Sequence, residues 1–420
     1  MLFSLLFAKT AEYEKLAHAL SAPGACALFG LPGSGRAMVY AALAKETGRF
    51  LCIVTPGEAE ATRFAGDLNA LGIPTAVFPA RDYVLRPIEG TAREYEYRRL
   101  SVLGDIVGGR LQAVCVPDEG LTQYTTPRAE FCNNTRTLHP GDTVPRTELT
   151  ALLYNAGYAR RAQVDGPGQF SIRGDIVDLY APDMKLPVRM EFWGDEIDTM
   201  HTFDLATQRR EDPIEKIYVS PAREVLFGSP AEASELLRAF IKKFRGKKRT
   251  ALEACLATEL AQLDGGALPV NMDKYLAVRY PQPATLLDYF DDPLLVLEEP
   301  ASLREAERAT TYRRGEEISA LLQDGVLAAG LDNLYAENDY LWAQAANHRT
   351  ICAENFARSM PDIPLKDIVN APAHTLPAWG GEVTSLLEDL QPLCNGGAAV
   401  TVLAGTQRAA AGLAADLRTK

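Results

Sequence analysis

Residues 26–46 read Cys-Ala-Leu-Phe-Gly-Leu-Pro-Gly-Ser-Gly-Arg-Ala-Met-Val-Tyr-Ala-Ala-Leu-Ala-Lys-Glu. The first four residues predict a short buried strand, the glycine-rich segment predicts a turn, and the remainder predicts a helix. The same rhythm continues outward from this stretch, with a further helix predicted at 58–71 and further strands at 50–54, 75–78 and 112–116. Short apolar strands that alternate with amphipathic helices are typical of an α/β fold built on a parallel, doubly wound sheet.

The glycine-rich turn is close to a phosphate-binding loop. In the pattern G-x-x-x-x-G-K-[ST], placed between a strand and a helix, backbone N–H groups surround an anion. Here the glycine spacing is right, but Arg36 replaces the lysine that reaches the phosphates and Ala37 removes the hydroxyl that binds Mg²⁺. Residual nucleotide binding is therefore the less favoured interpretation. We interpret the turn as a degenerate nucleotide loop without catalytic residues, formed by Gly30, Gly33, Ser34, Gly35, Arg36 and Ala37.

An acidic pair, Glu298 and Glu299, follows the apolar run at 294–297. Two carboxylates at the end of a buried strand are typical of the Walker B position, which holds Mg²⁺ beside a phosphate loop. Because Ala37 offers no hydroxyl to the metal, we favour the simpler interpretation. The pair is then a degenerate Walker B site whose carboxylates are solvated at the strand end.

The rhythm of the chain changes near residue 126 and again near residue 220. Residues 126–219 are rich in short strands and turns, which predicts a small α+β domain inserted into the α/β domain that begins in residues 1–125. Residues 220–420 predict a helical and α/β remainder that completes the first domain. It ends in a helix, a strand at 398–403 and another helix.

One strand of the inserted domain carries a candidate binding face. Alternation along residues 188–193 places Arg189, Glu191 and Trp193 on one face and three apolar side chains on the other. Arginine and tryptophan dominate the energetically important positions of protein interfaces. In the alternative interpretation, Trp193 packs in a core and Arg189 pairs with Glu191 or Asp195.

A basic run at residues 238–249 is the best candidate for nucleic-acid binding. Apolar residues recur at helical spacing through the same stretch, so the run predicts one amphipathic helix whose charges form its solvated side. No aromatic residues alternate with the charges to stack on bases. The formal net charge of −12 also argues against a protein that coats nucleic acid through bulk positive charge.

Cysteine and hydropathy patterns exclude several protein classes. The seven cysteines are odd in number, scattered and form no C-x-x-C pair, which predicts reduced thiols in a cytoplasmic protein with no metal site. The apolar start at residues 1–8 lacks a basic segment and is too short to span a membrane. We therefore expect a soluble protein without an export signal or a membrane partner.

The inserted region contains a block that resembles a known family. The block runs from Gly157-Tyr158 through Gly166–Asp178 and Val188–Asp198 to Phe203-Asp204, and Thr285–Phe290 precedes the acidic pair. It resembles the second domain shared by the bacterial excision-repair protein UvrB and the transcription-repair coupling factors. The missing lysine and hydroxyl, and the lack of room at 82–103 for a DNA-clamping hairpin, favour the coupling factors.

The resemblance implies a fold and a role. The fold would be a degenerate RecA-like (P-loop NTPase-type) parallel sheet domain with an inserted small α+β domain and a further α/β part, as in UvrB. The implied role is recruitment of UvrA, the damage-recognition ATPase, through positions that correspond to Arg173, Arg189 and Trp193. The last of these is usually phenylalanine in the family.

The resemblance also implies what lies elsewhere in the coupling factors. Their other domains would contact RNA polymerase and DNA, use ATP and Mg²⁺ for translocation, and include a C-terminal domain that masks the UvrA surface. No cofactor is then expected in this chain, which would be an N-terminal module of a bacterial cytoplasmic protein. Two alternatives remain: a UvrB-like ATP-dependent repair ATPase, and a DNA-binding domain that uses residues 238–249.

Overall fold

The computed structural model describes residues 10–86, 93–371, 382–398 and 406–419, and the single residues 400, 402 and 404. The chain divides into two compact units, residues 1–372 and 373–420. In the first unit, helices and strands alternate as the sequence predicts: α1 (Ala11–Ala19), β1 (Gly24–Phe29), α2 (Gly33–Thr47), β2 (Leu51–Thr55), α3 (Glu58–Ala70), β3 (Thr75–Val77), α4 (Glu94–Val107), β4 (Ala113–Pro117) and α5 (Asp118–Leu121).

The inserted region is rich in short strands. Its elements are α6 (Arg128–Asn133), β5 (Arg136–Leu138), α7 (Arg146–Asn155), β6 (Ala159–Arg160), β7 (Gln169–Arg173), β8 (Ile176–Tyr180), β9 (Val188–Trp193), β10 (Glu196–Phe203), β11 (Arg210–Pro213) and β12 (Ile217–Val219). Six strands form one sheet in the order β11-β10-β9-β8-β7-β6, and β12 pairs with β5. Apolar side chains from one face of the sheet pack under α7, so the opposite face carries the polar residues of the strands.

A helical region follows, and here one prediction is wrong. Its helices are α8 (Pro230–Lys242), α9 (Gly246–Asp264) and α10 (Leu276–Arg279), with 3₁₀ turns at Met272–Tyr275 and Leu286–Tyr289. The basic run was expected to form one helix, but the chain breaks between α8 and α9. Gly246 adopts a φ of +58°, a left-handed conformation that glycine reaches without strain, and this lets the chain change direction.

The rest of the first unit returns to the sheet. Its elements are β13 (Leu294–Glu298), α11 (Pro300–Gln323), α12 (Tyr340–Asn347), β14 (Arg349–Glu354) and β15 (Leu365–Asn370). The second unit contains α13 (Val383–Asn395) and α14 (Gln407–Thr419). Three of the six residues in the strand predicted at 398–403 lie outside the described residues. That strand and the domain limits 1–125, 126–219 and 220–420 stay predictions.

The central sheet has seven parallel strands in the order β15-β1-β14-β13-β2-β4-β3. Helices α1, α2 and α3 cover one face, and α4, α12 and the 286–289 turn cover the other. The predicted α/β class, with a parallel central sheet and an inserted small α+β domain in the UvrB-like and RecA-like manner, is confirmed. Since only β14 separates β1 from β13, the loop after β1 and the acidic pair after β13 meet at one sheet edge. No helix among the described residues is long and apolar enough to cross a membrane.

Candidate functional site

The degenerate nucleotide loop is packed against the protein itself. Gly30 has a φ of +89°, and a Cβ at this position would lie 2.7 Å from the carbonyl oxygen of Ala371. A Cβ on Gly33 would lie 2.3 Å from Nη1 of Arg63, whose guanidinium covers the loop. Glycine is therefore required at position 30, where the close contact is with backbone and φ is left-handed, whereas at position 33 the flexible end of Arg63 could move aside. Ser34 is exposed, and Ala37, on the core-facing side of α2, is fully buried.

Arg36 reaches across the sheet edge to the acidic pair. Its side chain is buried, and Nη1 lies 2.8 Å from Oε1 of Glu299 and 3.1 Å from Oε2 of Glu298. The same nitrogen donates to the carbonyl oxygen of Ala353 in β14, at 3.3 Å. The arginine at the lysine position of the loop thus binds the two carboxylates that the sequence predicts as a degenerate Walker B pair. Its charge is balanced inside the protein.

Glu298 is buried, so the prediction of a solvated acidic pair is wrong for this residue. The Tyr40 hydroxyl donates to its Oε1 at 2.5 Å, and α2 carries both Tyr40 and Arg36 to the carboxylate. Burial raises the pKa of Glu298 to about 7 although the Arg36 guanidinium opposes the shift. Glu299 is half-buried in a left-handed conformation with a φ of +51°, at the start of α11.

These contacts form a closed network, which we call the arginine–glutamate network: Arg36, Tyr40, Glu298 and Glu299. In a working loop the corresponding lysine points toward phosphate and the acids toward Mg²⁺. Among the described residues, no group of three or more histidine, cysteine or acidic side chains is placed to hold a metal ion. The network joins α2 to β13. Within it, the guanidinium of Arg36 is bound to carboxylates of the protein itself.

A second constellation lies on the polar face of the inserted sheet and centres on Asp178. This residue is fully buried and stands directly opposite Arg189 in the β8–β9 pairing. Arg189 donates to it with two nitrogens, Nε to Oδ1 at 2.7 Å and Nη2 to Oδ2 at 3.0 Å. Such two-pronged contacts fix the plane of the guanidinium. The hydrogen bonds to Asp178 also raise the pKa of Arg189.

Arg173 shares the same carboxylate. Its Nη2 donates to Oδ2 of Asp178 at 2.6 Å, while 46% of the side chain stays exposed. Arg189 is exposed by only 12%, and its guanidinium lies 4.7 Å from the centre of the Phe203 ring. Asp178 therefore holds one arginine in the sheet and presents another at the surface. We call this group the Asp178 clamp: Arg173, Asp178 and Arg189.

Asp178 is not among the functional residues predicted from the sequence. The sequence offered one indication: Asp178 alternates with the apolar residues Val177 and Leu179 in its strand, so its side chain is expected on the opposite face of the sheet. Its interpretation requires the β8–β9 register, which places it opposite Arg189. The buried carboxylate explains why two arginines lie side by side on one face.

Trp193 ends β9 on the same face as Arg189 and is 84% exposed. The alternative in which Trp193 packs in a core is therefore wrong. Arg189 pairs with Asp178, whereas Glu191 contacts Arg210, so the alternative pairing of Arg189 is wrong as well. By strand register, the three predicted residues Arg173, Arg189 and Trp193 lie on one face of one sheet. An aromatic side chain exposed to this extent makes few contacts of its own with the fold.

Comparison with known proteins places this face within a recognised domain. A family model described as the UvrB interaction domain matches residues 137–225. The chain is 26% identical over 375 residues to the transcription-repair-coupling factor of Bacillus subtilis strain 168, covering 87% of this chain and 32% of that protein. It is 24% identical over 391 residues to the protein of the same name from Staphylococcus aureus strain MRSA252, covering 90% and 33%.

The transcription-repair-coupling factor of Staphylococcus haemolyticus strain JCSC1435 is 26% identical over 309 residues, or 70% of this chain and 26% of that protein. Most of this chain is covered by these matches. The chain, however, spans only about a third of the length of the curated relatives. The matched domain contains all three residues of the Asp178 clamp and Trp193. These matches confirm the resemblance to the transcription-repair coupling factors that the sequence predicts.

Proposed function

We propose that this chain is a protein-interaction module of transcription-coupled excision repair that recruits UvrA. The carrying observation is the Asp178 clamp, which holds Arg173 at the surface on the sheet face that also exposes Trp193. The face lies within the region that matches the UvrB interaction domain. The names of the relatives support the link to repair of transcribed DNA.

In this proposal each residue has a different task. Arg189 is held by two hydrogen bonds to Asp178 and stacks on Phe203, so it is mainly a positioning residue. Arg173 contacts Asp178 through Nη2, which leaves its other nitrogens for a carboxylate of the partner. Trp193 supplies a large apolar surface that is already exposed, so a complex would bury it. This arrangement fits a partner with an acidic group beside an apolar pocket.

We further propose that the RecA-like domain is a scaffold and that its nucleotide loop binds no nucleotide. The support is the arginine–glutamate network, in which Arg36 is engaged with Glu298 and Glu299 rather than presented to an anion. The competing function is a UvrB-like ATP-dependent ATPase. A thermal shift with Mg-ATP separates the two, because a ligand that binds only the folded state raises its melting temperature. We expect no shift, and a rise of several kelvin would contradict the scaffold proposal.

The remaining activities suggested by the family are proposals for parts of the relatives that this chain does not cover. They include contact with RNA polymerase, ATP-driven translocation on DNA with Mg²⁺, and a C-terminal domain that covers the UvrA-binding face. A protein with these partners would work in the bacterial cytoplasm. The chain itself would contribute recruitment and autoregulation.

Calorimetric titration of UvrA tests recruitment. Truncation of a central interface arginine or tryptophan typically costs about 2 kcal/mol or more, a loss of roughly thirtyfold in affinity. We expect losses of at least about tenfold for Arg173→Ala and for Trp193→Ala. Arg136→Ala is the matched control, since Arg136 lies in β5 of the inserted region, is half-buried and pairs with Glu148 of α7, the helix that packs on the opposite face of the sheet. Unchanged affinity in both well-folded variants would refute the assigned surface.

A further inference from the structure

The break between α8 and α9 gathers cations at one corner of the helical region. Seven of the 43 basic residues of the chain fall within residues 238–249, which contain no acidic residue. Two of them are paired: Arg238 with Asp264 at 2.6 Å and Arg249 with Glu253 at 2.8 Å. The other five have no carboxylate partner within salt-bridge distance in the described part of the chain. We call these five the basic corner: Lys242, Lys243, Arg245, Lys247 and Lys248.

All five side chains of the basic corner are exposed. They come from the last turn of α8, the connection and the first turn of α9, so they surround the break instead of forming a single stripe along one helix. This differs from the solvated helix face expected from the sequence. Unpaired like charges held within seven residues repel one another, and a bound polyanion relieves that repulsion.

The position of the lysines in α9 is itself unfavourable to the fold. The first turn of α9 holds Lys247 and Lys248 and no acidic residue. Cations near a helix N-terminus oppose the helix dipole and destabilise it by about 0.3–1 kcal/mol each. Fold stability therefore does not account for these lysines.

The aromatic residues of this region point to the kind of polyanion. The rings of Phe240 and Phe244 contact each other at 5.1 Å and pack into the helical core. A Cβ on Gly330 would lie 2.9 Å from Phe244, which shows how closely that ring is held. No exposed aromatic side chain in the run 238–249 is available to stack on unpaired bases. The chemistry fits the phosphates of a double helix and offers nothing to a single strand beyond charge.

We propose that the basic corner binds the phosphate backbone of duplex DNA without reading its sequence. This contact is independent of the UvrA-binding face and of the nucleotide loop. Each phosphate neutralised releases counterions, so the logarithm of affinity falls with the logarithm of salt concentration by about 0.9 per contact. Five contacts predict a loss of affinity on the order of 10²–10³-fold between 50 and 200 mM salt.

The test is fluorescence anisotropy with the full 420-residue chain and a labelled duplex of about 20 base pairs, long enough to span the corner. The variant Lys242→Gln/Lys243→Gln/Lys247→Gln/Lys248→Gln removes exposed charges only, and it relieves the unfavourable cations at the start of α9, so its melting temperature should equal or exceed that of the wild type. The slope of the logarithm of affinity against the logarithm of salt concentration should become shallower by about 3–4. The affinity of the variant at 50 mM salt should be at least about a hundredfold lower than that of the wild type. The control Arg160→Gln/Arg161→Gln/Lys185→Gln/Lys216→Gln removes four exposed cations elsewhere and should retain wild-type binding.

Three results would overturn the proposal. The first is a wild-type chain that does not bind duplex at 50 mM salt. The second is a corner variant that binds with the affinity and salt slope of the control. The third is preference for a single strand or for a polyglutamate competitor over the duplex, which would assign the corner to another class of partner.

Discussion

Replacement of Asp178 by asparagine should loosen the inserted domain far more than a change at a surface aspartate. Asp178 is fully buried and accepts three hydrogen bonds from Arg173 and Arg189. Hydrogen bonds to charged groups contribute about 1.5–3 kcal/mol each, and breaking a buried ion pair costs about 3–5 kcal/mol. Since Arg173 is half exposed and can return to water, we expect a loss of about 2–4 kcal/mol in the free energy of unfolding.

The chain offers a matched control three residues away. Asp175 also pairs with an arginine at 2.6 Å, Arg146, but its side chain is 70% exposed. Exposed pairs contribute about 0–1 kcal/mol, so Asp175→Asn should be nearly neutral. The assay is hydrogen exchange of the β7–β9 amides across a urea series, which reports on this domain alone. Equal losses in the two variants, or a loss below about 0.5 kcal/mol for Asp178→Asn, would refute the clamp as the organiser of the face.

Two further predictions concern the arginine–glutamate network. Arg36→Ala leaves two carboxylates without their cation and should lower the free energy of unfolding, measured by urea denaturation, by about 3–5 kcal/mol. The control Arg63→Ala removes a half-exposed side chain over the loop and should lower the same free energy by less than about 1 kcal/mol. Equal stability of Arg36→Ala and the wild type would contradict the network. The raised pKa of Glu298, about 7 in the folded state, gives a stabilisation present below about pH 4.5 and lost as pH rises through 7. Relative to Glu298→Gln, the wild type should therefore lose about 2–3 kcal/mol between pH 4.5 and 8, and parallel curves would contradict the buried titration.

Local patterns in the sequence were sufficient to predict the strands of the central sheet and one face of the inserted domain. Each of these patterns depends only on residues close together in sequence. They are the apolar strands at 26–29, 50–54 and 112–116 and the alternation at 188–193. These features depend on periodicity within about ten residues, and the structure contains them at the expected places. The exposure of Trp193 followed from the resemblance to the family, since alternation alone left the core alternative open.

Features that depend on distant pairing were not predictable. Arg36 and Glu299 are 263 residues apart in sequence, and only the strand order β1-β14-β13 brings them together. The burial of Glu298 follows from the same contact. The break between α8 and α9 escaped prediction because apolar residues continue through it at helical spacing, and Gly246 was the only local signal.

Photo-crosslinking from position 193 is the most direct test of the central claim. A benzoylphenylalanine at this position, Trp193→benzoylphenylalanine, replaces one exposed aromatic side chain by another and reacts only with groups in contact. The matched position is Tyr312 on α11, which is 73% exposed compared with 84% for Trp193. The account predicts a covalent adduct with purified UvrA from position 193, reduced by Arg173→Ala, and none from position 312. Absence of an adduct from position 193, or equal adducts from both positions, would contradict recruitment of UvrA through this face.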